Sequence, residues 1–136
     1  MKQYLTNGIN NTPTLAAPAA AKMDECRGKA VKFDAEGKIV LCDAAGEKVL
    51  GIVTIDNDVI VEKGDNVSVQ IKDNGVAVAG GEFAIGDELA TDANGKFVKA
   101  AAGQYVRAIA LEAGAADRII RVMMANYVSA GASEKK

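Results

Sequence analysis

No histidine occurs in the 136 residues of this chain. That removes the commonest general base, the commonest zinc ligand and every His-dependent catalytic triad. Tryptophan is also absent, and only three Tyr and three Phe are present. A glycan-binding module usually offers aromatic rings for stacking, and few are available here. Two cysteines without histidine make half of a usual zinc ligand set, so no metal site and no cofactor are expected. No run of Lys or Arg marks a nucleic-acid footprint, and the net charge is −2. No apolar stretch approaches the roughly 20 residues that a membrane helix needs.

What is present is a chain 49% apolar, its apolar residues chiefly Ala, Val and Ile. The length fits one domain, and the core must be assembled from small pieces. A domain of this size hides roughly two-thirds of the surface its unfolded chain would expose, so folding alone stabilises it modestly. Assembly with copies of itself or with a partner would add to that. The opening Met1-Lys2-Gln3-Tyr4 lacks the apolar core of a signal peptide, so synthesis in a host cytoplasm is expected.

Three regions differ in character. Residues 1–23 hold both prolines, Pro13 and Pro18, and a polar Asn10-Asn11-Thr12 cluster, which oppose a packed helix. They read as an extended N-terminal arm carrying four apolar anchors for a partner: Tyr4, Leu5, Ile9 and Leu15. Residues 129–136 are small, polar and charged, and read as a flexible tail. Between them, residues 24–128 contain an internal repeat, with pseudo-repeats of about 24–80 and 81–128. At a spacing of 58, Gly28, Asp34, Ala35, Gly37, Lys38 and Val40 recur as Gly86, Asp92, Ala93, Gly95, Lys96 and Val98.

The repeated Asp-Ala-x-Gly-Lys has a physical meaning. Asp at the start of a turn accepts backbone hydrogen bonds, and Gly three residues later supplies the left-handed conformation. Asp34–Gly37 and Asp92–Gly95 are therefore expected to be structural turns, three-residue hairpin loops closed by a Gly bulge. This loop sets Phe33 opposite Ile39 and Val31 opposite Leu41, placing four large apolar residues on one face. It also sets Cys42 opposite Ala30, which leaves Cys26 beyond disulfide reach, so both thiols should be reduced.

Other segments are strand-like as well. Val49 to Ile55, Val67 to Ile71, Gln104 to Leu111 and Arg118 to Met124 are apolar or alternate in polarity. Asn74-Gly75 reads as a two-residue hairpin turn into Val76–Ala79. About eight to ten short strands are expected. The fold class is all-β: a small antiparallel barrel or sandwich built from two pseudo-repeats, with an extended N-terminal arm.

Two fragments resemble ligand loops and fail on inspection. Gly81 and Gly86 have P-loop spacing, but Asp87 stands where the lysine is needed. Asp56-Asn57-Asp58 begins like a calcium loop, yet Val61 and Val67 occupy the glycine and bidentate-glutamate positions. No catalytic residue is identified, and the protein is expected not to be an enzyme.

One resemblance is carried by Gly28-Lys29-Ala30-Val31, Asp34-Ala35-Glu36-Gly37-Lys38, Val49-Leu50-Gly51-Ile52-Val53, Ile85-Gly86-Asp87-Glu88-Leu89, Asp92–Val98, Arg107–Glu112 and Ile119–Val122, in that order. Over residues 24 to 124 the chain resembles the phage capsid-decoration, or head-cement, proteins, a family long known as a domain of unknown function. The resemblance implies a small β protein that binds the outer surface of an assembled bacteriophage capsid and reinforces it. The implied partner is the major capsid protein. It also implies a homo-oligomer, a trimer before a dimer, located in the virion and using neither nucleic acid nor membrane. The alternative from another class is a soluble adaptor or carbohydrate-binding β module.

Overall fold

A computed structural model describes residues 12–130. Twelve strands make up its regular structure: β1 (Thr14–Pro18), β2 (Met23–Asp24), β3 (Ala30–Phe33), β4 (Ile39–Leu41), β5 (Gly51–Val53), β6 (Ile60–Val61), β7 (Asn66–Gln70), β8 (Asn74–Val78), β9 (Glu88–Thr91), β10 (Phe97–Lys99), β11 (Tyr105–Ala110) and β12 (Ile119–Val128). The described residues contain no helix, and the fold is all-β. Two five-stranded antiparallel sheets dominate, and a small β2–β6 pair forms a third sheet in the first half. Neither sheet closes on itself, so the barrel is not formed, and the two open sheets are compatible with the sandwich.

The first sheet has the order β1-β7-β5-β3-β4, and the second reads β8-β12-β11-β9-β10 from its corresponding edge. The two sheets also agree in register. Ile52, Gln70 and Thr14 lie in one row of the first sheet, and Ile109, Met123 and Asn74 in the matching row of the second. Residues of the paired strands along these rows therefore have register counterparts in the other half.

The β3–β4 hairpin pairs Val31 with Leu41, Lys32 with Val40 and Phe33 with Ile39, the register read from the sequence. The face it creates is not uniformly buried, however. Val31 and Ile39 are in the core, Leu41 is half-buried, and Phe33, at the turn end of β3, is 45% exposed. Alternation identifies a face, but it does not say how far along the strand the covering layer reaches.

The Asn74-Gly75 hairpin expected from the sequence does not form. Both residues lie within β8, which pairs with β12, whereas β7 pairs with β1 and β5 in the other sheet. The chain instead crosses between sheets over residues 71–73, with Asp73 at a φ of 68°. The Gln70 amide donates to the carbonyls of Lys72 and Asn74 at 2.5 and 2.9 Å and holds this crossover. The sheets thus divide the chain between Gln70 and Asn74 and not near residue 80. The strand expected over Val49 to Ile55 contracts to Gly51–Val53.

Two apolar clusters result. One, made of Ala19, Met23, Cys26, Val31, Ile39, Val53, Val61, Val67 and Val69, comes entirely from the first half. The other centres on Leu89, Phe97, Ala108, Ala110, Ile120 and Val122 of the second half, completed by Ala30, Cys42, Val49 and Ile52 of the first. The first half closes its own core, while the second is finished by its neighbour. Cys26 and Cys42 are free thiols, one in each cluster, and burial pushes both thiols up.

Candidate functional site

The four turn residues are placed by backbone geometry. Asp34 Oδ1 accepts the amides of Glu36 and Lys38 at 2.8 and 2.9 Å. Asp92 Oδ1 accepts those of Asn94 and Lys96 at 2.8 and 3.0 Å. Gly37 and Gly95 have φ of 80° and 79°, which side chains disfavour. Those backbone amides hold the Asp34 carboxyl below its ordinary value. Of the four arm anchors, Tyr4, Leu5 and Ile9 lie outside the described residues. Leu15 is half-buried in β1, opposite Val69, and packs on the core of the first half.

The junction between the halves carries the features that the sequence did not announce. Arg107, 4% exposed, sends its guanidinium into three carbonyls: Leu50 at 2.9 Å, Ile71 at 2.7 Å and Ala125 at 2.9 Å. Burial lowers its pKa. These bonds tie β11 to the loop before β5 and to the end of β7. The available clue was an arginine set in the apolar run Tyr105–Ala110. Backbone bonds reinforce the join: Ala30 donates to Gly95 at 2.8 Å, Val78 to Gly28 at 2.8 Å and Gly46 to Thr91 at 2.8 Å.

A groove of about 600 Å³ opens along this junction. Ile55, Val78 and Ile119 give it an apolar floor, and Glu25, Arg27, Lys29, Lys96 and Asp117 form the rim. Two ion pairs stand on that rim, Arg27 to Glu25 at 3.0 Å and Lys96 to Asp117 at 2.5 Å. The Lys96 ammonium holds the Asp117 carboxyl below its ordinary value. Apolar contact bordered by paired charge suits a protein surface as partner.

The segments that resembled ligand loops are occupied with structure. Asn57 bonds the backbone of Ser68 in both directions, at 3.0 and 3.1 Å. Asp87 accepts the amide of Ala84 at 2.9 Å. The ring of Phe83 lies so close to Gly114 that any side chain there would collide with it. Among the described residues, no three His, Cys, Asp or Glu side chains form a group that could hold a metal ion. Phe97 and Phe83 are buried, leaving Phe33 and Tyr127 as the exposed rings of the described region.

No family model matches the chain, and no curated protein does. A solved structure does match: the N base of the head fiber gp8.5 in bacteriophage phi29. The alignment covers 82% of this chain and 92% of that one, with a TM-score of 0.62 and 19% sequence identity. By fold, this chain is similar to the base of a phage head fiber.

Proposed function

We propose that this protein is a non-enzymatic structural component of a bacteriophage head, attached to the outside of the capsid through the major capsid protein. The observation that carries the reading is the fold shared with a phage head fiber base over 82% of the chain. The reading agrees with the resemblance to head-cement proteins drawn from the ordered motifs of the sequence. The body, on this reading, is a duplicated hairpin unit: two sheets of one strand order, each with an Asp-x-x-Gly turn. Its work is mechanical. A rigid β body positions a surface, and many copies on one shell compensate for weak single contacts through effective concentration.

The contact to the shell comes from residues 1–11, with Tyr4, Leu5 and Ile9 as anchors, and from the apolar groove at the junction of the halves. Leu15 belongs to the body, because β1 is a strand of the first sheet. A truncation that tests the arm must therefore stop before Thr14.

Purified protein mixed with undecorated heads of the cognate phage should co-sediment in a saturable manner. Deleting residues 1–11 should weaken that attachment while leaving the melting transition in place. Absence of co-sedimentation at saturating protein would overturn the proposal.

A further inference from the structure

We infer that Asn94 is a site of spontaneous modification, at which the folded chain loses ammonia through a cyclic imide and gains aspartate and isoaspartate at the seam between its halves. Asn-Gly is the dipeptide in which this chemistry is easiest, because glycine has no side chain to shield its nitrogen. The chain has three: Asn7-Gly8, which lies outside the described residues, Asn74-Gly75 and Asn94-Gly95. Asn74 and Asn94 are both exposed, and neither side-chain amide has a hydrogen-bond partner among the described residues. The two differ in the peptide unit that follows each.

Ring closure needs the peptide plane between Asn and Gly to swing about the Asn Cα–C bond until the Gly nitrogen faces Cγ. The plane between Asn74 and Gly75 is held at both ends. The Asn74 carbonyl accepts the Gln70 amide at 2.9 Å. Met124 donates to Asp73 and Ala79 to Arg118, so the odd-numbered residues of β8 are those bonded to β12, and the Gly75 N–H lies in that ladder opposite Val122. The plane between Asn94 and Gly95 has a single hold, the Gly95 N–H on the Asp92 carbonyl at 3.2 Å. No described residue donates to the Asn94 carbonyl. Freeing the first plane means parting two strands, while freeing the second means opening one long bond at the tip of a turn.

The reaction needs no co-reactant other than water. The Gly95 nitrogen bonds to Asn94 Cγ, the Cγ–Nδ2 bond breaks, and the glycine proton leaves with the ammonia. Water then opens the imide at one of its two carbonyl carbons. One opening leaves aspartate; the other routes the main chain through the former side chain and leaves isoaspartate. Isoaspartate lengthens the backbone by one carbon between two fixed points. One is the Asn94 amide, held by Asp92 Oδ1 at 2.8 Å, and the other is the Gly95 carbonyl, which accepts the Ala30 N–H at 2.8 Å. The extra carbon therefore falls on the join between the halves. In the turn at Asp34–Gly37 the equivalent residue is Glu36, its amide held by Asp34 at the same 2.8 Å, and a glutamate has no such five-membered route. The turn thus accepts a residue that would not react.

The test is peptide mapping of the full chain by mass spectrometry, with isoaspartate scored separately. One sample is incubated folded at mildly alkaline pH, and a parallel sample is incubated unfolded in concentrated urea. In the folded chain Asn94 should convert at least about tenfold faster than Asn74. In urea the two should convert at similar rates. Asn94→Glu should keep the circular dichroism spectrum of the wild type and yield no product at that position. Incubated wild type should melt at a lower temperature than fresh wild type, whereas Asn94→Glu should melt as it did before incubation. Equal rates at Asn94 and Asn74 in the folded chain, or a preference for Asn94 that persists in urea, would overturn the inference. So would an isoaspartate-bearing chain as stable as fresh protein. None of these readouts depends on attachment to phage heads.

Discussion

The turn at Asp34–Gly37 and the turn at Asp92–Gly95 make the same internal bonds within 0.1 Å of each other, yet they stand in different places. Nothing lies within 4 Å of where a side chain would begin at Gly37. At Gly95 the same position meets the Ala30 carbonyl oxygen at 3.1 Å and the Ala30 nitrogen at 3.3 Å. One turn is a free tip; the other is a seam. The contrast extends to whole halves, since the first encloses its own apolar cluster and the second depends on residues of the first. Local sequence writes the turn, and packing decides what the turn is worth.

The largest effect should come from the core of the dependent half. Phe97 is fully buried, and Phe97→Ala should cost about 3–5 kcal/mol in urea denaturation, against less than about 1 kcal/mol for Phe33→Ala. Equal losses would erase the distinction between the two hairpins. Next comes the arginine at the junction. Arg107→Met leaves the carbonyls of Leu50, Ile71 and Ala125 without that donor and should cost about 3 kcal/mol, with amide exchange rising first in the second half. Uniform exchange throughout the chain would argue against a join at this point.

A smaller effect separates the turns themselves. Gly37→Ala should cost about 1 kcal/mol from backbone strain alone. Gly95→Ala adds the contact with Ala30 and should cost about twice as much by thermal melting. A reversed order would contradict the seam.

Acid should produce the smallest change. Asp34 and Asp117 both have lowered folded-state values, so the stabilisation they give is present above the unfolded carboxylate pKa of about 3.9 and is lost as pH falls through the folded values. Asp34→Asn combined with Asp117→Asn should flatten the decline in denaturation midpoint below about pH 4. An unaltered acid limb would show that neither carboxylate takes part.

Much of this architecture was legible in the chain. The β3–β4 register followed from turn chemistry and pattern, because Gly37 can adopt a left-handed φ and a one-residue slip would break the apolar face. The separation of the cysteines followed from the same register. Asn74-Gly75 misled because its turn preference is local, whereas β8 is claimed by β12, some forty-five residues further along. Arg107 was hidden for a similar reason: its three acceptors come from distant segments of the chain.

Pro18 gives the first sheet a property of its own. Ala19 donates inward to Asp65, and Ile71 donates to Pro13, so the intervening even-numbered residues of β1 present their backbone to the outer edge. At Pro18 that edge has no N–H to offer. The matching position in the second sheet, Val78, has its amide engaged by Gly28. One edge is therefore blunted chemically and the other is covered. At these two positions neither edge offers a free N–H to a strand from a neighbouring molecule, a feature that disfavours edge-to-edge pairing there.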